Sequence, residues 1–147
     1  MTMPFARTAL ALTCAAAFTI AAAPAFAETL TFKASMTTTQ EVPPTQGAGK
    51  GEVTATYDTA SKKLSWKGTY SGLSGPATAA HFHGPAAAGK NAGVAVPIFA
   101  GAAAKSPFEG SATLTDEQAK QLTGGEWYAN IHTAANKAGE IRGQMAK

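Results

Sequence analysis

Cysteine is almost absent from this chain, since Cys14 is the only one among 147 residues. It lies in an apolar N-terminal stretch that has a positive charge ahead of it at Arg7 and ends in Ala25-Phe26-Ala27. A basic residue, an apolar run and an A-x-A site in that order are typical of a cleaved signal peptide. We therefore predict that residues 1–27 are removed and that residues 28–147 form the mature domain. A domain without thiols has no disulfide and no cysteine nucleophile, so its hydrophobic core must stabilise it.

Charged residues are also few, at 14% of the chain, and neither sign dominates. The mature part holds eleven basic and nine acidic residues, a balance that disfavours nucleic acid and anionic membranes as partners. The N-terminal apolar run is broken by Pro24 and is shorter than the roughly 18 residues expected of a membrane-spanning helix. We expect an exported protein, periplasmic or secreted, with no membrane span after cleavage.

Alternation of apolar and polar residues indicates that the mature chain is all-β. About 120 residues are enough for one domain with one hydrophobic core. Short alternating segments separated by Gly, Pro and Ser clusters favour an antiparallel β-sandwich or barrel of about eight strands. The predicted strands cover residues 29–34, 52–58, 63–70, 79–83, 94–99, 108–114, 127–133 and 140–145.

One segment between these strands has the signals of a helix instead. Thr115 is a hydroxyl N-cap, and Gln118 follows at the spacing of a capping box. Gly124 and Gly125 can end the helix in a left-handed conformation. We predict one short connecting helix of about two turns near residues 116–122.

The final two strands allow a specific register to be predicted. If residues 127–133 pair antiparallel with residues 140–145 so that partner numbers sum to 272, Ile131 and Ile141 both point into the core. His132 then faces Glu140, and Asn130 faces Arg142. A slip of one residue would place Ile141 on the polar face, so burial specifies this register. Glu140 and Arg142 share a face because they are two residues apart, and we interpret them as part of a cross-strand polar ladder.

The chain has three histidines, all within two of these strands. His81 and His83 flank one residue, so on a strand both imidazoles point to the same face. His132 lies on the polar face of its own strand together with Asn130. Three converging imidazoles would form a mononuclear transition-metal site for copper or zinc, with Asn130 or Glu140 orienting a ring. The alternative is that the three histidines are structural and hydrogen-bond loop carbonyls.

Several motifs together resemble the CHRD family, whose domain recurs in the extracellular protein chordin and stands alone in exported bacterial proteins. The resemblance spans essentially the whole mature chain and implies an immunoglobulin-like β-sandwich or barrel outside the cytoplasm. It implies little about chemistry, because one fold hosts many functions. The segments that carry it are Glu41-Val42-Pro43-Pro44, Ala80-His81-Phe82-His83-Gly84-Pro85, Ser106-Pro107-Phe108, Leu114-Thr115-Asp116, Trp127-Tyr128-Ala129-Asn130-Ile131-His132-Thr133 and Gly139-Glu140-Ile141-Arg142-Gly143-Gln144.

The sequence gives little support for an enzymatic function. Three histidines are too few for the two-metal site of copper–zinc superoxide dismutases, which needs about six, and that family's disulfide is impossible here. No catalytic acid, base or nucleophile is recognisable beside the histidines. We therefore predict a non-catalytic, exported binding domain whose partner is a metal ion. The alternative is an extracellular protein–protein interaction module with structural histidines and no metal.

Overall fold

The computed structural model describes residues 27–101 and 104–147. The predicted signal peptide, apart from Ala27, lies outside the described residues. One 3₁₀ turn, Thr38–Gln40, follows the first strand. The regular elements are β1 (Thr29–Thr37), β2 (Lys50–Asp58), β3 (Lys63–Ser71), β4 (Ala77–His83), β5 (Val94–Ala100), β6 (Phe108–Thr113), α1 (Asp116–Thr123), β7 (Tyr128–Thr133) and β8 (Ile141–Gln144).

All eight strands belong to one antiparallel sheet with the order β5-β4-β7-β8-β1-β2-β3-β6. The sheet curls into a nearly closed barrel, so that its edge strands β5 and β6 approach each other. Phe99 of β5 and Phe108 of β6 pack edge to face across this seam, with ring centroids 5.2 Å apart. The predicted all-β fold of eight strands with one short helix is confirmed.

The predicted register of the last hairpin is confirmed within the β7–β8 ladder. Tyr128 pairs with Gln144, Asn130 with Arg142 and Ile131 with Ile141, so partner numbers sum to 272. Ile131 and Ile141 are both fully buried in the core. The ladder stops there, because β8 begins at Ile141 and Glu140 lies just outside it, although its backbone N–H still donates to the Ile131 carbonyl.

An aromatic cluster in the core supports the strand that carries two of the histidines. Phe82, between His81 and His83, is fully buried; its ring meets Trp66 edge to face at 5.4 Å and stacks with Trp127 at 6.0 Å. Such aromatic pairs contribute beyond their buried area. Phe82 therefore anchors β4 from inside the barrel, and the alternation of the strand turns both histidines to the other face.

The short helix forms as its sequence predicts. The Thr115 hydroxyl accepts from the Gln118 backbone N–H, and the Gln118 side chain accepts from the Thr115 backbone, which completes the capping box. The Gln118 amide also donates to the Ala95 carbonyl and so ties α1 to β5. No helix in residues 27–101 or 104–147 is long and apolar enough to cross a membrane.

Candidate metal centre

Pairing between β4 and β7 brings the three histidines onto one face of the sheet. His81 lies directly opposite Asn130, and His83 lies opposite Tyr128. His132 is two residues beyond Asn130 on β7, so it is the diagonal neighbour of His81. Directly opposed residues on antiparallel strands share a face, and this face is the one that points away from Phe82 and the core.

Two of the imidazoles are already at ligand distance from each other. Nδ1 of His81 lies 2.9 Å from Nε2 of His132. Metal–nitrogen bonds of about 2.0–2.1 Å place two ligands about 2.9 Å apart at a right angle and about 3.4 Å apart in a tetrahedron. One nitrogen from each of the three rings lies within 4.8 Å of the other two. His83 must therefore move somewhat closer for all three to bind one ion.

Backbone carbonyls orient two of the rings. Nδ1 of His132 donates to the Lys137 carbonyl at 2.9 Å, and Nδ1 of His83 donates to the Ala92 carbonyl at 3.0 Å. A carbonyl can only accept, so both Nδ1 atoms carry the hydrogen and both Nε2 atoms keep a lone pair in the neutral rings. Metal-binding histidines commonly donate their second nitrogen to a carbonyl in this way.

Burial favours the neutral imidazoles that a metal requires. His83 and His132 are 8% and 9% exposed, and His81 is half-buried. Burial lowers the pKa of His81 to about 4, with smaller contributions from the nearby His132 and His83. Burial also lowers the pKa of His132, although its bond to the Lys137 carbonyl opposes the change. Protons therefore compete weakly for these two nitrogens at neutral pH.

A stack of three side chains extends from His83 across the same face of the sheet. The His83 ring lies parallel to the Tyr128 ring, with centroids 4.8 Å apart. Arg142 comes from β8, on the other side of β7, and its guanidinium lies 3.4 Å from the Tyr128 centroid. Arg142 is 2% exposed and donates to the Asn91 side chain and the Lys90 carbonyl. Arg142 thus pins residues 84–93, here called the cover loop, over the histidine face.

Glu41 lies beside the Asn130 amide, on the side away from the histidines. The residue is 5% exposed, and burial raises its pKa despite the hydrogen bond from the Val42 N–H, the nearby Asn130 amide and the positive charge of Arg142. A side-chain carbon at Gly139, where φ is +133°, would overlap both the Glu41 carboxylate and the Asn130 amide nitrogen. The missing side chain at Gly139 is what lets these two groups sit together.

We expected that Glu140 could orient a histidine ring, but its carboxylate bonds to other side chains instead. Its carboxylate accepts hydrogen bonds from Ser74, Thr133 and Asn136, and within the described residues it has none with a histidine. The orienting acceptors are the carbonyls of Ala92 and Lys137 instead. Asn130 does reach a histidine, since its Oδ1 lies 3.1 Å from Nε2 of His83.

Comparison with known proteins identifies the family of this domain. The fold and the site define an all-β barrel domain that carries a cluster of histidines on its outer face. The family model of the CHRD domain matches residues 32–145, and the chain belongs to that family. No curated protein and no solved structure matches it.

Several participants in this network could not be assigned from the sequence. Glu41 lies in the Glu-Val-Pro-Pro segment that carries the family resemblance, and that was its only signal. Tyr128 has no distinguishing signal in the sequence, yet its buried ring stacks on His83. The carbonyls of Ala92 and Lys137 have no side-chain signature at all, because any residue offers the same acceptor.

Proposed function

We propose that this protein is an exported, non-catalytic CHRD-domain binding protein whose ligand is one copper or zinc ion held by His81, His83 and His132. The observation that carries the proposal is the orientation of the rings. His83 and His132 each donate Nδ1 to a backbone carbonyl, and Nε2 of His132 is turned toward Nδ1 of His81. CHRD domains are binding modules, which supports a binding role over a catalytic one.

Ligand type favours copper and zinc over other ions. Imidazole nitrogens suit copper, zinc, iron and nickel, whereas calcium and magnesium prefer oxygen. For a fixed set of nitrogen ligands, affinity rises along the first row to copper and is lower for zinc. The predicted export of residues 28–147 would place the site in the periplasm or outside the cell, although the histidine geometry does not depend on that placement.

Metal analysis of the mature domain, purified without a polyhistidine tag, tests the proposal. Titration calorimetry should give one ion per chain, with copper bound more tightly than zinc. His81→Ala should weaken binding by at least about 100-fold, because loss of a group that only orients a ligand already costs about 10- to 100-fold. Lys90→Ala is the matched control, since only the backbone carbonyl of Lys90 contacts the network. Binding of less than 0.1 ion per chain by the wild-type protein would overturn the proposal.

The competing function is a protein–protein interaction module whose histidines are structural. It is favoured by the fact that each imidazole has a hydrogen-bond partner without any ion. Under this alternative His81→Ala would lower stability without changing metal content. The same calorimetric experiment, accompanied by thermal unfolding of each variant, therefore separates the two functions.

A further inference from the structure

Two acceptors face each other at one corner of the histidine cluster. Nδ1 of His83 donates to the Ala92 carbonyl, so a neutral His83 presents only a lone pair at Nε2. That lone pair faces Oδ1 of Asn130, which is also an acceptor, at 3.1 Å. Two lone pairs at this distance repel unless a positively charged atom lies between or beside them. Nε2 of His83 and Oδ1 of Asn130 are therefore arranged as two ligands of a cation.

Rotating the Asn130 amide by 180° does not remove the conflict. Nδ2 of Asn130 donates to the Ala138 carbonyl at 3.4 Å and faces the Glu41 carboxylate across Gly139. Exchanging the two amide atoms would turn Oδ1 toward these two acceptors and remove the donor that Asn130 offers them. Since Asn130 is 2% exposed, no bulk water is there to compensate. Glu41 and Ala138 thus hold Oδ1 toward the histidines.

We infer that Asn130 is the fourth ligand of the metal proposed above, bound through Oδ1, with Glu41 as the residue that positions its amide. The inference rests on the proposed function and assigns the oxygen donor of that site. Bonds of about 2.1 Å at a right angle place two ligands about 3.0 Å apart, which matches the separation of Nε2 and Oδ1. Asn130 also lies directly opposite His81 in the β4–β7 ladder, between the other two histidines.

An N₃O ligand set has consequences for the ion that is bound. The neutral amide oxygen adds no charge, so the site keeps the full charge of a divalent ion. Arg142, the nearest buried cation, is separated from the histidines by the Tyr128 ring. His81 is the only half-exposed histidine of the three, so water or an anion would reach a bound ion from its side.

Two substitutions at position 130 test the assignment. Asn130→Leu keeps the approximate size but removes the oxygen, and Asn130→Asp keeps the oxygen and adds a negative charge. We expect Asn130→Leu to weaken copper(II) binding at least about tenfold and Asn130→Asp to strengthen it by a similar factor. The hyperfine splitting in the electron paramagnetic resonance spectrum of bound copper(II) should change in both variants. Gln121→Leu is the control, because it removes a side-chain amide of α1 that bonds Glu117 and Trp127 and not a histidine.

The possible outcomes separate the ligand assignment from the proposed function. If wild-type protein binds no ion, both are overturned. If it binds copper and both variants at position 130 bind with the wild-type affinity and spectrum, only the role of Asn130 is overturned. Should Asn130→Leu fail to fold, Asn130→Asp decides alone, since an unchanged affinity and spectrum there contradict direct ligation.

Discussion

At the scale of single residues, Glu140 shows how this protein stabilises a buried charge with neutral donors. The residue is fully buried, and within the described part of the chain no Lys, Arg or His lies at ion-pair distance from it. Burial raises the pKa of Glu140, but hydrogen bonds from Ser74, Thr133 and Asn136 outweigh that effect and hold the pKa below its usual value. These bonds also fix residues 133–140, whose Lys137 carbonyl orients His132.

Replacing the Glu140 carboxylate by an amide should therefore be costly. In Glu140→Gln one of the two acceptor oxygens becomes an NH₂ donor. It then faces either the Ser74 N–H, or the hydroxyls of Ser74 and Thr133 and the Asn136 amide. We expect the free energy of unfolding to fall by about 2–3 kcal/mol in urea titrations. The exposed Glu109→Gln should change it by less than about 0.5 kcal/mol. Equal effects of the two substitutions would show that the hydrogen bonds of Glu140 do not stabilise the fold.

At the scale of elements, the two-residue period of a strand predicts which side chains share a face but not what covers that face. His81 and His83, and likewise Asn130 and His132, share a face as alternation requires. Every residue of β7 is nevertheless buried, because the cover loop and residues 133–140 lie over the polar side. These loops are placed by bonds to backbone carbonyls, which leave no pattern in the sequence.

Gly139 is the position where the loop geometry depends most on one residue. Its φ of +133° is unfavourable for any other residue, and a side chain there would overlap Glu41 and Asn130. We expect Gly139→Ala to lower the free energy of unfolding by at least about 2 kcal/mol. Gly75→Ala is the matched control, since a side-chain carbon at Gly75 meets nothing within 4 Å. A cost below 0.5 kcal/mol at Gly139 would show that the loop adapts without disturbing Glu41.

At the scale of the whole molecule, local signals predicted the strands and hairpins but not their order in the barrel. The β1–β2–β3 meander and the β7–β8 hairpin join neighbours in sequence, and the alternation of the last two strands predicted the register of their hairpin. The pairings of β4 with β7, β1 with β8 and β3 with β6 join distant segments. They depend on how eight buried faces fit around one core, so the sequence suggested that the histidines meet without showing which strands bring them together.

The histidine face should also make the metal-free barrel sensitive to acid. In the folded protein burial lowers the pKa of His81 to about 4, whereas an unfolded imidazole titrates near 6.5. As the pH falls from about 6.5 to 4, the unfolded chain takes up the proton first and the folded state loses stability; below about pH 4 both forms are protonated and the loss is complete. The raised pKa of Glu41 acts in the opposite sense, because the folded state then binds its proton first.

A single substitution isolates the contribution of His81 to this acid sensitivity. Partial exposure reduces the effect of the pKa shift, so we expect His81 to account for about 1 kcal/mol of the stability lost between pH 7 and pH 5. Urea unfolding with a chelator present should therefore show a shallower loss over this range in His81→Gln than in the wild-type domain. Identical pH profiles would mean that His81 is as free to protonate in the barrel as in the unfolded chain, contrary to its burial beside His132 and His83.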